Sequence, residues 1–229
     1  MTEMDYDPTI RRLPIYVVLD CSYSMSGEPI EAVREGMKTL LDELQGDPQA
    51  LETAFVSVIT FDTDARQVIP LTELALVTAP QLEADGTTSL GEALTLLMDC
   101  INREVRKSTA EQKGDWKPLI FLMTDGEPTD SWERPADAIK QARPGNFIAC
   151  AAGAEANDDV LKRITEIVVR LNDVEPGTLA KFFKWVSDSI RTTSQSVAAN
   201  QDAPVKLPPP PPRSKYSRSL LEQWKTTKD

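Results

Sequence analysis

The chain contains no histidine among its 229 residues. Without an imidazole it cannot build a Ser-His-Asp triad, a Cys-His nucleophile pair or a histidine-ligated zinc centre. Any acid–base or metal chemistry near neutral pH must therefore use other side chains, chiefly carboxylates and hydroxyls. This single absence removes several large classes of hydrolase and metalloenzyme from consideration.

Cysteine is scarce, since only Cys21, Cys100 and Cys150 are present. Their odd number and wide spacing indicate neither a disulfide framework nor a zinc ribbon. Each cysteine lies within an apolar run, where a free thiol behaves as a small hydrophobic side chain. We therefore expect three buried, unpaired thiols.

Long apolar runs are also missing from the sequence. No stretch approaches the ~20 apolar residues that a membrane-spanning helix needs. The segment 1–14 carries five charged residues and no apolar core of the kind found in secretory signals. These features predict a cytoplasmic protein that does not contact the membrane.

Basic residues are outnumbered, with 25 Lys and Arg against 36 Asp and Glu, for a formal net charge of -11. An acidic surface repels phosphate groups, so we expect no nucleic-acid partner. Hydrophobic residues make up 41% of the chain and charged residues 27%, which is typical of a globular domain with a core.

Short apolar runs rich in branched residues alternate with segments of helical periodicity. The runs are typical of buried parallel strands and cover 13–19, 54–61, 119–123, 147–152 and 167–171. Helical patterns begin near Pro29, Leu90, Glu133, Asp158 and Pro176. A turn at 62–64 leads into a further short strand at 67–71, which makes a hairpin. This alternation predicts a three-layer, doubly wound, mostly parallel α/β sheet with helices on both faces.

The composition divides the chain into three parts. We predict an N-terminal arm at 1–12, an α/β domain at 13–199 and a C-terminal tail at 200–229. Five consecutive prolines at 208–212 indicate a polyproline II spacer within the tail. The segment 206–229 holds six basic and two acidic residues, so its net charge of +4 opposes that of the domain.

Oxygen-bearing side chains follow two of the predicted strands and precede one of the helices. They are Asp20, Ser22, Ser24, Asp125 and either Thr87 or Thr88. In extended chain, alternate residues project the same way, which brings the first three together. In open α/β sheets, ligands bind beyond the carboxyl ends of strands at a switch in strand order. Hard oxygen donors suit Mg²⁺, Mn²⁺ or Ca²⁺, although each segment alone also fits a turn with a helix cap.

Three segments together resemble the metal-ion-dependent adhesion site of von Willebrand factor A domains. They are Asp-Cys-Ser-Tyr-Ser-Met at 20–25, Gly-Thr-Thr-Ser-Leu-Gly-Glu-Ala-Leu at 86–94, and Thr-Asp-Gly-Glu-Pro-Thr-Asp at 124–130. The resemblance covers roughly residues 13 to 196. The opening, from Leu13-Pro14 through Leu19-Asp20 to Gly27, Pro29 and Ile30, is most similar to the bacterial tellurite-resistance TerY type.

This resemblance implies a sheet with one short antiparallel edge strand and one divalent cation per chain. Ser22 and Ser24 would bind the cation through their hydroxyls, and Asp20 and Asp125 would bind it directly or through water. Alignment on Thr-Ser-Leu-Gly favours Thr88 as the remaining ligand, with Thr87 as the alternative. Tyr23 stands where the family often has glycine.

The resemblance also implies a function in binding rather than catalysis. A protein partner would offer an acidic side chain to the cation in a metal-dependent interaction. TerY-type proteins are associated with chemical-stress response and tellurite resistance, and with neighbouring phosphatase and kinase components, which makes such a component a candidate partner.

Two other hypotheses remain open from the sequence. The first is a regulatory scaffold that works without metal, in which the aspartates only form turns. The second is a Mg²⁺-dependent phosphatase of the haloacid-dehalogenase type, which also places an aspartate after its first strand. That chemistry needs an acid two residues after the nucleophile, where this chain has Ser22.

Overall fold

Residues 11–111, 113–153, 156–199 and 207–210 are described by a computed structural model. Within them, six strands form one sheet in the order β3-β2-β1-β4-β5-β6. The strands are β1 Leu13–Asp20, β2 Ala54–Phe61, β3 Ala65–Glu73, β4 Leu119–Thr124, β5 Asn146–Ala152 and β6 Ile167–Leu171. The α-helices are α1 Glu28–Gln45, α2 Pro48–Thr53, α3 Leu90–Glu104, α4 Glu133–Ala142, α5 Asp158–Ile164 and α6 Pro176–Ala198.

The strand pairing confirms the predicted fold class. β1 runs parallel to both β2 and β4, and only the edge strand β3 is antiparallel to its neighbour. The strand order reverses between β1 and β4, because the chain leaves β1 toward β2 and later returns to β4 on the other side. The carboxyl ends of these two central strands are therefore adjacent, and they mark the crevice where this fold class binds ligands.

The core has two halves, one on each face of the sheet. Successive side chains of a strand point to opposite faces, and all eight residues of β1 are buried. Ile15, Val17 and Leu19 belong to the half that includes residues of α1 and α6, whereas Tyr16 and Val18 belong to the half that includes residues of α3, α4 and α5. The three cysteines are free and buried, as expected.

Local elements differ from the sequence prediction at several places. Helix α2 was not predicted, because its six residues are too few to show a period; Asp47 begins it by accepting a hydrogen bond from the N–H of Ala50. β3 is longer than the predicted 67–71, since it pairs along nearly all of β2. Helix α5 is capped by Asn157 rather than Asp158, and it ends where Thr165 turns to an extended backbone.

The ends of the domain are described only in part. Most of the predicted arm at 1–12 and of the tail at 200–229 lies outside the described residues, so the boundary at 199 stays a prediction. The described piece of the tail, Leu207–Pro210, contacts α6 through a hydrogen bond from Trp185 to the carbonyl of Pro208. No helix in the described part of the chain is long and apolar enough to cross a membrane.

Close packing of α1 on α6 depends on a glycine, which generates a stability prediction. A Cβ at Gly36 would overlap the ring of Phe183. We expect Gly36→Ala to destabilise the fold by about 1–3 kcal/mol, because overpacking outweighs the helix propensity that alanine adds. The midpoint of urea unfolding measures this effect. Gly177→Ala is the matched control, since a Cβ there meets no atom within 4 Å, and an equal loss in both variants would contradict the account.

Candidate metal-ion site

The carboxylate of Asp20 lies at the centre of the crevice between β1 and β4. It is the last residue of β1 and its exposed fraction is 0%. Its Oδ1 accepts a hydrogen bond from the N–H of Ser22 at 2.9 Å, and its Oδ2 accepts one from the hydroxyl of Thr124 at the end of β4. The two central strands therefore hold this carboxylate in a fixed orientation.

Two serine hydroxyls connect Asp20 to the second carboxylate. Ser22 Oγ and Ser24 Oγ are 3.0 Å apart, and Ser24 Oγ donates to Asp125 Oδ1 at 2.8 Å. A single 3₁₀ turn, Tyr23–Met25, carries this part of the chain, and the side chain of Met25 is buried beneath it. Four of the predicted site residues thus form one continuous cluster.

The segment 86–94 contributes Thr88 rather than Thr87 to this cluster. A Cβ built on Gly126 would lie 3.4 Å from Thr88 Oγ1 and 3.8 Å from Ser24 Oγ, so both hydroxyls adjoin the same point beside Asp125. Thr88 is buried, whereas Thr87 is exposed and its N–H donates to Thr63. The structure therefore brings the favoured threonine to the cluster and leaves its neighbour outside. That these side chains bind a metal remains a prediction.

The side chain of Tyr23 lies at the rim of the cluster and is 71% exposed. It is one of the few large hydrophobic side chains that the described part of the chain leaves open to solvent. Its neighbours Ser22 and Ser24 carry the candidate ligand atoms, so a molecule that reaches the cluster also meets this ring.

A reciprocal pair of hydrogen bonds joins the Thr88 loop to the loop after β4. Thr129 Oγ1 accepts from the N–H of Thr88 at 3.1 Å, and the N–H of Thr129 donates to the carbonyl of Thr88 at 2.9 Å. No role is predicted for Thr129 from the sequence, although it lies within the motif at 124–130. Its function here is to hold a candidate ligand at a fixed distance from Asp125.

Asp130 also connects the loop after β4 to the segment 86–94, through the N-terminus of helix α3. Its two carboxylate oxygens accept from the N–H groups of Gly91 and Glu92 at 3.0 and 2.9 Å. Helix α3 lacks a cap from its own Ser89 side chain, so Asp130 satisfies amides at its N-terminus from another loop. Gly91 has no room for a Cβ because the backbone of Ser131 lies against it.

The carboxylates of Asp20 and Asp125 have no basic side chain paired with them in the described part of the chain. Burial raises the pKa of Asp20 to about 6, although hydrogen bonds from Ser22 and Thr124 act in the opposite direction. Burial also raises the pKa of Asp125. Within the described part of the chain neither forms an ion pair with lysine or arginine. The cluster thus retains buried acidic groups without a basic partner.

The surrounding edge of the sheet is acidic as well. The segments that follow β1, β2, β4 and β6 at this edge, 21–27, 62–64, 125–132 and 172–175, contain no lysine or arginine. Their acidic residues are Asp62, Asp64, Asp125, Glu127, Asp130, Asp173 and Glu175. The summed field of these charges attracts cations to the crevice.

The donor set fits a hard divalent cation. In the described residues no group of three or more His, Cys, Asp or Glu is placed to hold a metal, so a cation here must use hydroxyls together with carboxylates. Ser22, Ser24 and Thr88 supply those hydroxyls beside the two aspartates. Oxygen-only sites suit Mg²⁺, Mn²⁺ or Ca²⁺.

Comparison with known proteins identifies the family. Residues 15–181 match the family model of the von Willebrand factor type A domain. The chain belongs to this family. The match includes every residue of the cluster, from Asp20 to Asp125.

Among curated proteins, this von Willebrand factor A domain is 36% identical over 124 residues to an uncharacterised protein of Synechocystis, covering 51% of this chain and 26% of that protein. It is 30% identical over 151 residues to inter-alpha-trypsin inhibitor heavy chain 4 of Mus musculus, covering 61% and 15%. The chain therefore corresponds to about a quarter or less of the length of these relatives.

Solved structures share the fold at lower identity. A von Willebrand factor type A structure from Catenulispora acidiphila has a TM-score of 0.57 and 22% identity, covering 80% of this chain and 43% of that one. Proximal thread matrix protein 1 of the mussel byssus, whose adhesion-site motif is occupied by zinc, has a TM-score of 0.56 and 19% identity, covering 78% and 48%.

The raised pKa of Asp20 predicts how its removal changes stability. A folded pKa of about 6 lies above the unfolded value near 4, so ionising this carboxyl destabilises the metal-free fold as pH rises between them. We expect Asp20→Asn to stabilise the metal-free protein at pH 7.5 by up to roughly 3 kcal/mol. The amide carries no charge, its oxygen can accept from the N–H of Ser22, and its NH₂ group can donate to the hydroxyl oxygen of Thr124 in place of the present bond.

Urea unfolding in EDTA at pH 4.5 and pH 7.5 measures this difference. The advantage of the variant should shrink toward the lower pH, where the wild-type carboxyl is mostly protonated in the fold. The prediction is contradicted if Asp20→Asn is less stable than the wild type at pH 7.5, or if its gain in stability does not depend on pH. Either result would show that burial of the ionised Asp20 carboxylate does not destabilise the fold.

Proposed function

We propose that this domain is a metal-dependent protein–protein interaction module. One divalent cation, most suitably Mg²⁺ and otherwise Mn²⁺ or Ca²⁺, would be held by Asp20, Ser22, Ser24, Thr88 and Asp125. The observation that carries the proposal is the convergence of these oxygens from three loops onto one acidic crevice. When bound, the cation supplies a positive centre with an exchangeable position that a carboxylate can fill. The zinc-occupied motif of the mussel protein supports a divalent-cation site here.

The charge of the crevice explains why partner binding would depend on metal. Asp62 and Asp64 share a single arginine, Arg66, at 4.0 and 3.4 Å, so this pair keeps a net negative charge. Together with Glu127 in the loop after β4, it repels a partner's acidic side chain. Asp20 and Asp125 add to that repulsion as long as their own charge is uncompensated. A partner that offers an acidic side chain is therefore excluded without metal and accepted with it.

Several features favour binding over catalysis, and we propose that the domain is not an enzyme. Asp20 is the residue that a phosphatase of the haloacid-dehalogenase type would use as nucleophile, yet it is fully buried and both its oxygens accept hydrogen bonds. Ser22 occupies the position where such an enzyme needs an acid. The sequence contains no histidine, and within the described part of the chain no lysine is bonded to the hydroxyls of Ser22 and Ser24 to act as a base.

The cellular setting forms a finer part of the proposal. We propose that the domain works in the cytoplasm, in a stress-response complex of the kind with which TerY-like proteins are associated, and that its partner is a phosphatase or kinase component. The support is the opening motif of the sequence, which includes Leu13-Pro14, Gly27 and Pro29.

Two neighbouring threonines provide a matched test of the metal ligands. We expect Thr88→Val to weaken the binding of Mg²⁺ about tenfold, which corresponds to ~1.4 kcal/mol for one lost oxygen donor. Thr87→Val should leave the affinity unchanged, because that side chain is exposed and lies outside the cluster. Isothermal titration with Mg²⁺ and with Mn²⁺ measures both. Equal effects of the two substitutions would contradict the proposed ligand set.

Partner binding is tested by affinity capture from cell lysate in Mg²⁺ and in EDTA. We expect the wild type to retain a partner only in Mg²⁺, and Asp20→Ala to retain none. Glu52→Ala is the control, since its exposed side chain lies on α2, which precedes the amino end of β2 and so lies at the opposite edge of the sheet. Circular dichroism verifies folding of each variant. A partner retained equally in EDTA would favour the metal-independent scaffold.

A further inference from the structure

A tryptophan in the middle of α6 binds the proline-rich tail of the same chain. Trp185 is only 5% exposed, and its indole Nε1–H donates to the carbonyl of Pro208 at 2.8 Å. A buried indole has one polar atom and needs one acceptor. Here the acceptor comes neither from the sheet nor from a helix, but from a segment 23 residues further along the chain.

Apolar contacts accompany this hydrogen bond. Leu207 packs against the half of the core that contains Trp185 and Phe121. Pro208 and Pro210 are half-buried, whereas Pro209 is exposed. In polyproline II structure, which has three residues per turn, Leu207 and Pro210 lie on the same side. The exposure pattern of the segment agrees with one face of such a helix resting on the domain.

The indole that binds the segment is packed against two other aromatic rings. The rings of Phe121 and Phe182 lie 6.3 and 6.0 Å from the ring of Trp185, the first of them edge-on. An aromatic groove with an indole N–H directed at a main-chain carbonyl is the chemistry that recognises proline-rich segments. Proline lacks an N–H, so its carbonyls are not engaged in internal hydrogen bonds and are available to such a donor.

We infer that the surface centred on the Trp185 indole, against which the rings of Phe121 and Phe182 pack, is a binding groove for a proline-rich extended peptide, occupied in cis by residues 207–210. The tail is thus attached to the body of the domain at this point. The site is separate from the acidic crevice and shares no residue with it, so its occupancy does not require metal.

The test follows the indole N–H resonance of Trp185 in the full chain by ¹⁵N NMR, assigned by its loss in Trp185→Phe. In the wild type we expect slow exchange of the indole proton with solvent. The combined substitution Leu207→Ser, Pro208→Gly, Pro209→Gly and Pro210→Gly should shift the resonance and accelerate exchange. Adding a synthetic peptide of residues 204–212 should return the resonance of this variant to its wild-type position, in Mg²⁺ and in EDTA alike.

Competition between the tail and an added peptide tests whether the tail occupies the groove. The wild type should bind the added peptide at least tenfold more weakly than the substituted chain, because its own segment occupies the groove at high effective concentration. A peptide in which Leu207 and the three following prolines are replaced by serine and glycine serves as control and should not bind. Rapid exchange of the indole proton in the wild type would overturn the inference. Equal affinity of the peptide for the wild type and the substituted chain would also overturn it, as would a peptide that does not bind to the substituted chain.

Discussion

A buried carboxylate without a basic partner is the constraint on which the rest of this structure depends. Asp20 ends the central strand β1 in full burial, and Asp125 follows the neighbouring strand β4. Removing a charge from water is costly unless it is paired, and the hydrogen bonds from Ser22 and Thr124 orient the charge without neutralising it. Perturbed acids in a crevice are typical of functional sites, and a cation bound there would compensate both groups at once.

Hydrogen bonds between segments hold the loops around the crevice together. Thr129 and Asp130 join the segment after β4 to the Thr88 loop and to the start of α3. The N–H of Tyr23 donates to the carbonyl of Gly86, which ties the serine turn to the same loop. Preorganised donors lower the entropy that binding would otherwise cost. Backbone contacts thus define the geometry of the candidate ligand hydroxyls.

The sequence predicts most of the fold because the signals are local. The apolar strand runs, the helical periodicity and the hairpin at 62–64 are each recognised from residues that are close together in the chain. Together they predict the layered sheet, in which the strand order switches between β1 and β4. The candidate ligands follow from the same logic, since each lies directly after a strand or before a helix. Motif alignment favoured Thr88 over Thr87, and the structure places Thr88 in the cluster.

What the sequence does not reveal depends on contacts between distant segments. Asp130 caps a helix that begins 40 residues earlier, and no local pattern shows which amides it satisfies. The anchoring of Pro208 by Trp185 likewise joins a helix to a segment whose composition alone indicates a spacer. Helix α2 is not predicted for another reason: its six residues complete fewer than two turns, so they show no helical period.

The most direct measurement is the anomalous scattering of manganese in crystals of the full chain grown with Mn²⁺. We expect one peak per chain, within direct coordination distance of the hydroxyls of Ser22 and Ser24 and close to Thr88 and the two aspartates. A crystal grown with Mn²⁺ that shows no peak in the crevice, or shows one only elsewhere on the acidic surface, would contradict the assignment of these residues as a metal site.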